Sequence, residues 1–129
     1  MTCFWDGILK SLKKDDFDFI GESKKDNYKL IEMLKKKAQP MHHILWQGQI
    51  IKEREIQEHL EAINDYDING ISNGHLTSTC DSFLLLICQI FHVDIIHYYM
   101  NHEIYYKYRG NSRKTLRFSS NNGHFVCSR

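Results

Sequence analysis

The stretch Thr79–Met100, TCDSFLLLICQIFHVDIIHYYM, changes its period half-way along. Phe83–Ile90 is apolar nearly all round, which predicts a buried helix from an N-cap at Ser78 or Thr79 to about Phe91. After Val93 the residues turn β-branched and aromatic, and Asp94–Met100 reads as a strand. Glu103–Tyr108 repeats that pattern beyond the turn-like pair Asn101-His102. Thr115–Phe118 and His124–Cys127 are short strand candidates, set off by Asn111-Ser112 and Asn121–Gly123. Upstream the period is helical. Phe4–Leu12 carries a stripe of Phe4, Trp5, Ile8, Leu9 and Leu12. Lys25–Ala38 spaces Tyr28, Ile31, Leu34 and Ala38 by three and four, ends in three lysines that suit a helix C-terminus, and stops before Pro40. Ile50–Ile63 sets Ile56, Leu60 and Ile63 against Glu53, Glu58 and Glu61. Asp15–Gly21 reads as an acidic turn and Asp65–Gly74 as a polar loop. Helices first and strands last predict an α+β domain, its helices packed on a small, mostly antiparallel sheet formed by the C-terminal half.

The 129 residues are one domain's worth of chain, and there is no repeat or linker to divide them. Hydrophobic residues are 42% and charged residues 26%, enough for a core without disulfides or metals. The longest apolar run, Phe83–Cys88, is far too short to span a bilayer. Seventeen Lys and Arg against sixteen Asp and Glu give a net charge of +1, which argues against a dedicated nucleic-acid binder. No basic and apolar leader precedes the first helical stripe, so a cytoplasmic protein is expected, with its four cysteines reduced. One proline and two alanines (Ala38 and Ala62) against many Ile, Lys and Asn suit an AT-rich coding sequence such as some viruses carry, and host cytoplasm would then be the compartment.

Cys3 stands at the start of the first helical stripe, where backbone N–H groups and the helix dipole favour an anion. A thiol there has a lowered pKa and becomes a nucleophile. His124 lies on a late strand, between Gly123 and Phe125. A histidine beside that thiol would hold it as thiolate and later protonate a leaving amine.

The local contexts extend this pair. Thr2-Cys3-Phe4-Trp5-Asp6, opening an amphipathic helix, resembles the cysteine helix of papain-like proteases, in which an aromatic residue follows the nucleophile. The buried helix Thr79–Phe91, the run Val93-Asp94-Ile95-Ile96-His97-Tyr98, the hairpin strand Glu103–Tyr108, and Leu116-Arg117-Phe118 leading to Asn121-Asn122-Gly123-His124-Phe125 together resemble the ovarian-tumour (OTU) family of cysteine proteases. The resemblance covers nearly the whole chain. It implies a papain-like OTU-type fold as one domain over residues 1–129. It also implies a thiol hydrolase that cleaves the isopeptide bond after the Gly-Gly tail of ubiquitin or a ubiquitin-like protein. Ubiquitin or polyubiquitin would be the partner, the enzyme a monomer, with no metal or organic cofactor and no membrane or nucleic acid involved. Cys3 would be the nucleophile and His124 the base and then the acid, with backbone amides near Thr2 and Cys3 for the oxyanion. Gly74, in the place of the family's Trp-Gly loop, Gly123, Trp5 and Phe125 would shape the channel for the tail. Two positions depart from the family. No Asp-Gly-Asn segment precedes Cys3, and Val126 stands where Asn or Asp often follows the histidine. Asn122, two residues before His124 and on the same face if extended, is the candidate for orienting the imidazole.

Other readings compete. Cys88 and His92 are spaced i, i+4 as metal ligands can be, but no second pair completes a zinc site. Tyr105–Arg117 interleaves three tyrosines with five cations, as a nucleic-acid surface can, and reads more simply as a hairpin with a solvated basic loop. Trp5 is as well suited to the core as to a channel wall. Thr2 as an N-terminal nucleophile lacks the long strand-rich first half such hydrolases have. The second functional hypothesis is an OTU-like module without catalysis that binds ubiquitin or another protein.

Overall fold

The computed structural model describes residues 3–68, 80–121 and 125–128. Within them the chain runs α1 (Cys3–Ser11), α2 (Lys14–Phe19), α3 (Asn27–Lys36), β1 (Ile44–Trp46), β2 (Gln49–Ile50), α4 (Glu53–Asp65), α5 (Cys80–Phe91), β3 (Asp94–Tyr99), β4 (His102–Tyr108), β5 (Thr115–Ser120) and β6 (Phe125–Ser128). The α+β class is as expected, but the helices do not all come first, since β1 and β2 lie between α3 and α4. The six strands lie in the order β2-β1-β4-β3-β5-β6. Only β3 and β5 pair in parallel, so the sheet is mixed and mostly antiparallel.

Helix α5 is buried from Ser82 to Phe91 and packs against β1, β3 and β4 on one side and α4 on the other. That is why its sequence is apolar on every face. Strand β3 turns Ile95 and His97 inward, and β5 turns Leu116 and Phe118 to the same side. Ser78 and Thr79, the expected caps of α5, lie outside the described residues. No helix among the described residues is long and apolar enough to cross a membrane.

Several elements differ from the expectation. The sheet does not come from the C-terminal half alone, because β1 and β2 form a hairpin in the first half. Ile50, expected to open the third amphipathic helix, lies in β2, and α4 begins at Glu53. Strands of three and two residues are too short to show a period of two. The hairpin is marked instead by its turn, where Gln47 and Gly48 both have positive φ (52° and 79°), as a type I′ turn requires. The Gln47 side chain ties this turn to β4, accepting from Tyr105 N–H (2.9 Å) and donating to the Glu103 carbonyl (3.3 Å).

The segment Asp15–Gly21, expected to be a turn, is the helix α2. Asp16 caps it by accepting from Lys13 N–H (2.8 Å). At the other end Glu22 N–H donates to Phe17 O (2.8 Å) and Gly21 N–H to Asp18 O (3.1 Å), with Gly21 at φ 74°. This is a Schellman ending, which glycine makes without strain. In the basic loop before β5, Arg109 is exposed as expected, but Arg113 and Lys114 are not free in solvent. Arg113 Nη1 sits 2.9 Å from Asp16 Oδ1 and donates to the Phe91 carbonyl (3.2 Å), and its guanidinium lies 4.6 Å from the Phe19 ring centre. Lys114 Nζ reaches Asp16 (3.2 Å) and Asp15 (2.9 Å). The Lys114 hydrogen bond holds the Asp15 carboxyl below its usual pKa. These bonds clamp α2 over the end of α5. Tyr106 and Tyr108 are core residues, and only Tyr105 of the three tyrosines stands out.

The β3–β4 turn falls one residue earlier than expected, at Met100-Asn101, because Tyr99 pairs with His102. Met100 has φ 54° and is exposed. A left-handed conformation costs a non-glycine residue about 1–2 kcal/mol, and glycine's extra freedom in the unfolded chain returns part of that. Met100→Gly is therefore expected to stabilise the fold by about 0.5–1 kcal/mol, read as a higher urea midpoint. Met100→Ala should bring no such gain.

Candidate functional site

Helix α1 starts at Cys3 and lies along β6. The approach is close because of Gly7, where an added Cβ would sit 3.0 Å from Phe125 Cδ1 and 3.4 Å from Cys127 N. The next residue after Cys3 is Phe4, whose ring centre is 4.7 Å from that of Phe125. Phe125 in turn is the residue that follows His124. The start of α1 and the start of β6 are thus held together by the side chains beside the two candidate positions. His124, Asn122, Gly123 and Gly74 lie outside the described residues.

Phe125 is 6% exposed, stacked on Phe118 at 4.9 Å and tilted against His97 at 5.3 Å. Trp5 is 1% exposed. Its Nε1 donates to Tyr66 Oη (3.1 Å), and its ring meets Phe4 and Phe83 edge-on at 4.9 and 4.8 Å. Of its two readings, a core residue is the one these surroundings fit. Both aromatics expected to wall a channel are buried packing residues.

Two other thiols are unsuited to attack. Burial pushes the Cys88 thiol well up, and burial with the nearby Asp81 carboxylate pushes up that of Cys80. Both stay protonated, and a protonated thiol is a poor nucleophile and a poor zinc ligand. His92, the other half of the i, i+4 pair, stacks on Tyr108 at 4.4 Å. Among the described residues no three His, Cys, Asp or Glu side chains are placed to hold a metal.

The structure adds a polar group that the sequence reading passed over. His97 on β3 is 5% exposed, and its Nε2 lies 2.6 Å from Ser120 Oγ at the end of β5. Burial lowers its pKa against the upward pull of Asp81, so the ring is neutral at neutral pH. On the helix side, Tyr106 Oη donates to Asp81 Oδ1 (2.5 Å), and burial, together with Asp81, pushes its pKa up. His59 Nδ1 lies 2.7 Å from Ser82 Oγ. The alternation along Asp94–Tyr99 already places His97 on the inner face with Ile95, and a histidine on such a face is the signal that could have found it.

No family model matches this chain, and neither a curated protein nor a solved structure does. The functional argument therefore rests on the geometry and the residues.

Proposed function

We propose that the chain is a cysteine-type deubiquitinase of the OTU kind, cleaving the isopeptide bond after the Gly-Gly tail of ubiquitin or a ubiquitin-like protein. The observation that carries the reading is the Phe4–Phe125 contact, which joins the helix that begins at Cys3 to the strand that follows His124. A thiol–imidazole pair needs its two groups within hydrogen-bond reach, and two distant chain segments meeting at this point are what such a pair requires. The Cys3 thiolate attacks the carbonyl carbon, forming an S–C bond. His124 gives its proton to the departing lysine amine as the C–N bond breaks. Water, deprotonated by His124, then releases the ubiquitin carboxylate and the free thiol. Helix-start backbone amides near Cys3 stabilise the oxyanion. Asn122 orients the imidazole, since the Val126 side chain has no polar atom to do so. With Trp5 and Phe125 in the core, Gly74 and Gly123 are the remaining tail contacts in this reading.

A ubiquitin probe with an electrophile at its C-terminus tests the proposal. The expected result is one covalent adduct, found by mass spectrometry on the peptide that contains Cys3. Retention of ubiquitin without an adduct would replace the hydrolase by a binding module of the same fold. Neither adduct nor retention would remove ubiquitin from the account.

A further inference from the structure

Resting on that reading, we propose that His97 is a positioning residue for the site: through Ser120 and Phe125 it fixes the start of β6 against α1. Ser120 and Phe125 are partners across the β5–β6 ladder, so they are the two feet of the connection that carries Asn122 and His124. One imidazole touches both feet, Ser120 Oγ at 2.6 Å from Nε2 and the Phe125 ring at 5.3 Å between centres. Phe125 is also the residue on which Phe4, next to Cys3, rests. His97 thus touches Phe125, the sequence neighbour of His124, and Phe125 touches Phe4, the sequence neighbour of Cys3.

Stability alone does not account for a histidine here. Its neighbours on the inner face are Ile95 and, across the sheet, Phe118 and Ile104. An apolar side chain would fill such a place without the cost of burying ring nitrogens. Moreover Nδ1 is buried and has no hydrogen-bond partner among the described residues. A buried polar atom without a partner costs free energy, and its retention points to a use. The bond to Ser120 gives the ring a fixed orientation that a leucine or phenylalanine would not impose on the strand ends. A misplacement of about 1 Å in a reacting group can cost 100-fold in rate, so a small shift of β6 is enough to matter.

The test compares the wild-type chain with His97→Leu, His97→Gln, Ser120→Ala and, as a core control, Ile63→Val. Two quantities are read per folded molecule. One is kcat and KM on a ubiquitin–fluorophore conjugate. The other is the rate at which iodoacetamide alkylates the Cys3 peptide at pH 6.5, where a free thiol is only about 1% thiolate. His97→Leu is expected to lower kcat roughly 10- to 100-fold with KM within about twofold, and to slow the alkylation. Its thermal midpoint should stay level or rise. His97→Gln, whose amide can still bond Ser120, should recover most of the loss. Ser120→Ala should reproduce it, and combining it with His97→Leu should add little. Ile63→Val should leave both rates unchanged. Should His97→Leu fail to fold, Ser120→Ala carries the same comparison. Fast alkylation of Cys3 in the wild type that neither His97→Leu nor Ser120→Ala slows would overturn the inference while leaving the thiol–imidazole pair intact. Alkylation of the wild type at a free thiol's rate would remove the pair and the inference together. A wild type that ignores ubiquitin yet alkylates fast, and slows in His97→Leu, keeps the inference and changes only the substrate.

Discussion

Cys3→Ala is expected to abolish cleavage of di-ubiquitin and leave thermal unfolding nearly unchanged. Removal of a nucleophile that acts as part of a catalytic unit costs on the order of 10⁶ in kcat in the best-measured hydrolase, and a loss of at least about 10⁴ is expected here. The fold has no matching reason to suffer. Alanine is the best helix former, so α1 is not weakened at its first residue. Cys88→Ala supplies the contrast. Cys88 is fully buried inside α5, and its removal leaves a small void there. That variant should lose stability and keep its activity per folded molecule. A gel assay on di-ubiquitin together with a thermal scan of both variants separates the two roles. If Cys3→Ala cleaves at the wild-type rate, the nucleophile is elsewhere.

The largest expected effect on stability belongs to Asp16. Its side chain is 0% exposed and takes hydrogen bonds from Lys13 N–H, Arg113 and Lys114. Asp16→Ala removes the cap of α2 and the buried anion of Arg113 and Lys114, leaving these cations only the exposed Asp15. Breaking a buried ion pair by deleting one partner costs about 3–5 kcal/mol. Arg113 and Lys114 keep 20% and 30% of their side chains exposed, so water recovers part of that. A loss of about 3 kcal/mol is expected, equivalent to a drop of roughly 10 °C in the thermal midpoint for a chain of this size. Asp15, whose side chain is 59% exposed, contacts the same two cations. Asp15→Ala should change the midpoint little, because exposed pairs are screened. Equal losses in the two variants would show that burial is not what makes this cluster matter.

The parts of the fold legible in the sequence are those whose pattern repeats often enough to be seen. Twelve residues of α5 with no polar face, and the alternation through β3 and β4, leave little choice of structure. Helix α2 escapes such a reading because half of its six residues are acidic and only two are apolar. What stabilises it is Arg113 and Lys114, almost a hundred positions away, and no local pattern carries that. The β1–β2 hairpin escapes because its turn pairs a glycine with Gln47, which reaches its left-handed conformation with bonds to β4. At the site, Cys3 is visible as a helix start beside aromatics. His97 is hidden because the run Ile95-Ile96-His97-Tyr98 reads as strand composition, and only the register with Ser120 and Phe125 gives the imidazole a context. Trp5 reads equally as core or wall until Tyr66 and Phe83 are seen around it.

The packing of α1 on β6 also bears on the order in which the molecule assembles. It joins residues 3–11 to residues 125–128, so nearly the whole chain lies in the loop that this contact closes. The entropy lost in closing a loop grows with its length, whereas the β3–β4 hairpin closes over two residues and α5 needs only local contacts. Loop closure therefore favours an early nucleus of the hairpin and α5 and a late docking of α1 onto β6. The proposed thiol and imidazole come together in that final step. On the proposed reading, a chain that has folded everywhere else still lacks its thiol–imidazole pair, and because Phe4, Trp5 and Phe125 belong to the core, the pair and part of the core are completed together.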